Sequence, residues 1–180
     1  MKLSITKQSI IKIFSFIPAL LIMSMIFSFS AQDSSESSSL SEKISIKVIE
    51  ITDELLTLDL SDAQAQQATE RIHTFIRKLG HFSEYLALGV SLVIPLYVVY
   101  HVRGRRLFLV PLCFCILFAS TDEIHQLFVD GRHGSPKDVL IDSCGALTGI
   151  LFSQMLCYIL RKCIYEPLHL HNKNASKCNQ

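Results

Sequence analysis

The chain has 180 residues, 49% of them hydrophobic, with a mean hydropathy of +0.37 and a formal net charge of +1. A charge so close to zero gives no basis for nucleic-acid binding, and the absence of Walker, Rossmann and nucleophile-elbow motifs argues against nucleotide coupling. The apolar residues gather in runs of membrane length, a distribution that a soluble domain rarely holds.

Taken in chain order, a basic leader over 1–12 with Lys2, Lys7 and Lys12 precedes a first apolar run, Ile13 to Ser30. Two readings compete for this run. Small residues at Ser28, Ser30 and Ala31 fit a signal-peptidase site, whereas the length of the run fits a retained membrane helix, the reading preferred here. The serine-rich, acidic stretch that follows lacks periodicity until Ile44 and reads as a flexible linker. Ser41 and Glu42 then open a helix in which Ile44, Val48, Ile51, Leu55 and Leu58 form one apolar stripe, flanked by Ile49 and Leu56. That stripe suits a helix lying on the membrane surface or docking on the rest of the fold.

A further helix begins at Ser61 or Asp62, either of which is a good N-cap, and runs into the second apolar run, Leu79 to Tyr100. At the junction, RKLGHFSEYLALG places Lys78, His81, Glu84 and Tyr85 three and four residues apart, on one helical face. The basic turn HVRGRR leads to a third run, Leu107 to Val129. Pro95 and Pro111 lie inside these runs as kinks of the kind membrane helices tolerate. The Cys113 and Cys115 pair has no zinc spacing and reads as core packing.

The third run holds 15 uncharged residues from Leu107 to Thr121, about 22 Å of helix, whereas a spanning helix needs about 20 residues. It therefore continues through Asp122 and Glu123. Charged groups at that depth are costly and face a protein interior or a wet cavity, so they mark a candidate functional site; the plainer reading is that they mark the membrane interface. After a Gly/Pro turn carrying Arg132, Asp138 and Asp142 open the fourth run, Val139 to Leu160. Asp138, Asp142, Gly145 and Gly149 advance by four, three and four along one face, so the acids share the face on which small residues allow close helix packing.

The positive-inside rule orients these runs. Ten of the 17 basic residues fall in the leader, in the HVRGRR turn and after Leu160, which places both termini in the cytoplasm. The expected architecture is all-α and polytopic. Four transmembrane helices span about 13–30, 79–100, 107–129 and 139–160 within a membrane domain over 13–165, an outer amphipathic helical segment lies between helices 1 and 2, and 166–180 forms a cytoplasmic tail. His81, Glu84, Asp122, Glu123, Gln126, Arg132, Asp138 and Asp142 then meet at the outer ends of helices 2, 3 and 4.

The segments FSFSAQDSSESSSLS, RKLGHFSEYLALG and STDEIHQLFVDGRHGSPKDVLIDSCGALTG, together with four spans, resemble the VanZ-like family of bacterial membrane proteins over about Ile13 to Leu160. The resemblance implies a four-helix protein of the bacterial cytoplasmic membrane, with a namesake linked to teicoplanin resistance. The positions that match its polar motifs are Lys78, His81, Glu84, Tyr85, Asp122, Glu123, Gln126, Arg132, Asp138 and Asp142. The family assigns them no catalytic roles.

The residues themselves support three functional readings. In the first, an envelope lipid or peptidoglycan precursor binds at the outer face. Arg132, with Lys78 or Lys137 in support, holds a phosphate, Tyr85, Gln126, Asp138 and Asp142 complete the ligand site, and His81 with Glu84, Asp122 and Glu123 supplies acid and base if there is catalysis. In the second, His81, Glu84, Asp122, Glu123 and Asp142 surround a divalent cation, although the spacing matches no standard metal motif. In the third, the charges are helix glue that fixes the register of the bundle. His125 lies off the Asp122 face and reads as a packing histidine.

Overall fold

The computed structural model describes residues 7–31, 34–56, 61–129 and 134–165, and it is helical with short turns. Lys2, Leu58, Arg132 and the 166–180 segment lie outside the described residues.

The first apolar run is two helices, α1 (Lys7–Phe14) and α2 (Ile17–Ser30). The interruption sits just before Pro18, within the first residues of α2. Proline lacks an N–H and is tolerated only in the first turn of a helix, so the helix restarts at Ile17 with Pro18 in its opening turn. Backbone bonds from Ser15 N to Ile11 O and from Leu20 N to Phe16 O, each 3.0 Å, keep the two pieces continuous across the break. α2 buries Ala19, Ile26 and Ser30 and contacts both α4 (Asp62–Val98) and α5 (Arg105–Gln126), so it packs as a member of the bundle.

The serine-rich stretch is not a linker over its length. Helix α3 runs from Ser34 to Leu56. Serine costs only a few tenths of a kcal/mol in a helix interior, and extending an existing helix is far easier than nucleating one. α3 contacts α4. Its more buried positions are Ser45, Ile49 and Thr52, whereas the predicted stripe of Ile44, Val48, Ile51 and Leu55 is exposed, Leu55 at 76%.

α4 is one uninterrupted helix of 37 residues. Its N-cap is Ser61, whose backbone N–H and hydroxyl both donate to Gln64 Oε1, at 3.1 and 2.9 Å. It ends at a turn in which His101 adopts a left-handed conformation (φ 55°) and Val102 N returns to Leu96 O at 2.9 Å. α5 carries Pro111 in its interior, and α6 (Pro136–Leu160) passes directly into a π-helical turn, Arg161–Tyr165.

Among the described residues, four helical stretches are long and apolar enough to cross a membrane: Ile10–Ser30, Ala63–Val98, Arg105–Gln126 and Pro136–Cys163. Their exposed surfaces are rich in large apolar side chains, among them Leu21, Leu117, Leu140 and Phe152. The interior combines an apolar core with a few buried polar residues, Asp122, Glu123, Gln126 and Asp142 among them, and such groups are costly to expose to lipid.

The tightest helix pair is α4 with α6, which share the most extensive contact in the bundle. Glycine makes it possible. A Cβ at Gly145 would collide with Phe82 O and one at Gly149 with Leu86 O, while one at Gly89 would stand 2.6 Å from Ala146 O. Small residues from both helices thus bring the backbones together, and the stripe that continues past Gly145 toward the start of α6 carries Asp142 into the interface.

Candidate functional site

Each of the three long helices of the bundle extends its buried stripe into polar residues at the same end. On α5 the buried series Leu107, Pro111, Cys115 and Ala119 recurs every fourth residue and then reaches Asp122, Glu123 and Gln126. On α6 the series passes from Ser153 back through Gly149 and Gly145 to Asp142. On α4 it passes from Val93 and Leu88 back to Tyr85, with His81 and Glu84 half-buried beyond. Because α5 runs toward this end while α4 and α6 leave it, three separate stripes deliver their polar ends to one place.

Within the cluster Asp142 is fully buried, and Asp122 and Glu123 are 1% and 6% exposed. Gln126 Nε2 donates to Asp122 Oδ2 at 3.2 Å, the expected contact between residues four apart on a helix. Glu123 Oε2 accepts the backbone N–H of Ser135 at 2.7 Å. Ser135 is itself the N-cap of α6, accepting from Lys137 N at 3.2 Å, so Glu123 ties the end of α5 to the start of α6. His81 Nδ1 stands 4.0 Å from Asp142 Oδ1, close enough for attraction if the ring is protonated and too far for a hydrogen bond.

Asp142 lies within electrostatic reach of Glu84, Asp122, Glu123 and Asp138, and Tyr85 within reach of Glu84, Asp122 and Asp142. Carboxyls so close and so buried repel one another when ionised and call for donors or counter-charge. The donors in place do not complete the set. Among the described residues, the Tyr85 hydroxyl and both oxygens of Asp142 are buried without a hydrogen-bond partner.

The expected cations are placed differently from the sequence reading. Lys78 and Lys137 are exposed. Arg77 is half-buried and lies within electrostatic reach of Glu123. Spacing alone does not separate the two cations, because at 100° per residue Arg77 lies 40° from His81 around the helix while Lys78 lies 20° from Tyr85. Asp138 is partly exposed at the first turn of α6, where a carboxylate favours the helix dipole.

Among the described residues, no three His, Cys, Asp or Glu side chains converge as the ligands of one metal ion would. His125 stacks on Phe27 with ring centroids 4.3 Å apart and so packs α5 against α2. The cysteine pair divides, with Cys115 in the core and Cys113 on the exposed surface, since residues two apart cannot share a helical face.

A family model described as VanZ/LLP1 matches residues 14–160. No curated protein and no solved structure matches the chain.

Proposed function

The chain belongs to the VanZ/LLP1 family, and from that premise we propose that it is a bacterial cytoplasmic-membrane protein whose acidic end binds, shields or modifies an envelope lipid or peptidoglycan precursor at the outer face, lowering susceptibility to teicoplanin-type glycopeptides. One observation carries this reading. Tyr85 and Asp142, fully buried where three helices meet, keep hydroxyl and carboxyl oxygens without hydrogen-bond partners among the described residues. Unsatisfied polar atoms in such surroundings cost about 1–3 kcal/mol each, and a ligand rich in hydroxyl, amide or ammonium donors would remove that cost.

In this reading Asp142, Tyr85, Asp138 and Gln126 with its partner Asp122 receive the donor groups. Arg132, in the hairpin between α5 and α6, holds a phosphate, for which a guanidinium is well shaped. If turnover occurs, His81 with Glu84 supplies acid and base, since histidine titrates near neutrality, and Asp122 and Glu123 orient the reacting group.

A second reading, that the charges are helix glue, is favoured by the Gln126–Asp122 and Glu123–Ser135 bonds, each of which serves an acid from within the bundle. The test is growth against a panel of glycopeptides with the wild type, Asp122→Asn and Arg132→Ala expressed at matched protein levels. The expected result is protection by the wild type that both variants lose. Wild-type protection retained by both variants would remove the cluster from the function, and no protection from any form would detach the chain from a resistance role. The two readings part on the pair reversal His81→Asp with Asp142→His, which restores a structural contact and leaves a ligand site broken.

A further inference from the structure

The end of the bundle away from the acids has its own chemistry. No Asp or Glu occurs in 7–31, 85–121 or 143–165, while Lys12, Arg103, Arg105, Arg106, Arg161 and Lys162 all do. Tyr97, Tyr100 and Tyr158 stand at the same end, as tyrosines do where apolar helices leave the hydrocarbon. Here a groove of about 580 Å³ opens between the C-terminal parts of α4 and α6 and the turn after α4. Its basic lining is His101, Arg103 and Arg161, and its apolar lining includes Val98 and Leu160.

Arg103 is held in place before any ligand arrives. Its guanidinium lies 3.6 Å over the Tyr97 ring, and its Nη1 donates to Tyr97 O at 2.6 Å and Val102 O at 2.8 Å. The bond to Tyr97 O covers a carbonyl at the negative end of α4 that would otherwise repel an anion. Nε and Nη2 are not engaged by these bonds, and they form the edge of the guanidinium that suits a phosphate. Val98 and Leu160 are 57% and 45% exposed, so the apolar wall of the groove is continuous with the surface offered to lipid.

We propose that this groove binds the phosphate headgroup of an anionic membrane phospholipid, with Arg103 and Arg161 on the phosphate and the first part of an acyl chain along Val98 and Leu160. A soluble phosphate compound would use the cations and leave the apolar wall bare; a phospholipid uses both, and basic pockets at the ends of membrane helices are suited to such headgroups.

The experiment is native mass spectrometry of the full-length protein in detergent, offered phosphatidylglycerol or phosphatidylcholine with the same acyl chains. The expected result is preferential retention of phosphatidylglycerol, reduced about fivefold by Arg161→Gln and similarly by Arg103→Gln, with no change for Arg105→Gln, which lies outside the groove. Arg103 also covers carbonyls, so Arg161→Gln is the decisive variant should Arg103→Gln fail to fold. Arg103→Lys, which keeps charge without the planar fork, is expected to restore only part of the retention. Equal retention of the two lipids, indifference to Arg161→Gln, an equal loss in Arg105→Gln, or full displacement of phosphatidylglycerol by millimolar inorganic phosphate would each overturn the proposal.

Discussion

Gly145 and Gly80 show how much a single methyl group depends on its surroundings. At Gly145 an added Cβ meets the carbonyl of Phe82 on the neighbouring helix, and backbone cannot move aside as a side chain can. At Gly80, inside α4, nothing lies within 4 Å of the same Cβ. Gly145→Ala therefore forces α4 and α6 apart at a cost of about 1–3 kcal/mol, whereas Gly80→Ala relieves a flexible helix position and stabilises by about 0.5–1 kcal/mol. Thermal unfolding in detergent reads both, and the expected order of midpoints is Gly80→Ala, wild type, Gly145→Ala. Indistinguishable midpoints for the two variants would mean that the contact at Phe82 is not close. Because Asp142 lies one turn from Gly145 on the same stripe, the packing that glycine permits is also what buries the acid.

Among the elements, those whose identity rests on hydrophobic length were legible in the sequence. The four apolar helices, the N-cap at Ser61 and the passage of α4 into its membrane run follow from apolar run lengths and a capping residue, both local properties. What was not legible depends on neighbours. The serine-rich start of α3 carries no pattern, and its helicity comes from continuation of the helix that follows. Lys78 and Arg77 are adjacent cations, and only the rotation of α4 set by α6 decides which turns inward. Arg132, central to the site as read from sequence, lies outside the described residues, while Glu123 turned out to hold the N-cap of α6.

α3 carries its own prediction. Ile44, Val48, Ile51 and Leu55 stay exposed although a contact with α4 is available, and an exposed apolar stripe on a helix between two membrane spans has the lipid surface as its natural partner. A nitroxide label at Ile51 is expected to relax with dissolved oxygen more than with a polar nickel chelate, and one at Glu50 to do the reverse. The same polar preference at both positions would detach α3 from the membrane surface.

At the scale of the whole molecule, the bundle is a charge dipole laid across a lipid-length apolar body. Acids gather where α5 ends and α4 and α6 enter the bundle, and bases gather at the opposite ends of the same helices. Since Lys and Arg flanking membrane helices stay in the cytoplasm, the polarity predicts the orientation. A fluorescent protein fused after the 180-residue chain is expected to fluoresce, and alkaline phosphatase inserted in the hairpin between α5 and α6 to be active. The basic turn between α4 and α5 contributes three of the cations, Arg103, Arg105 and Arg106, so neutralising all three should produce a mixed population in which both reporters fall. If the insertion in the hairpin is inactive and the terminal fusion dark, the acidic end faces the cytoplasm. An envelope ligand would then be out of its reach, and the site would have to serve a cytoplasmic partner instead.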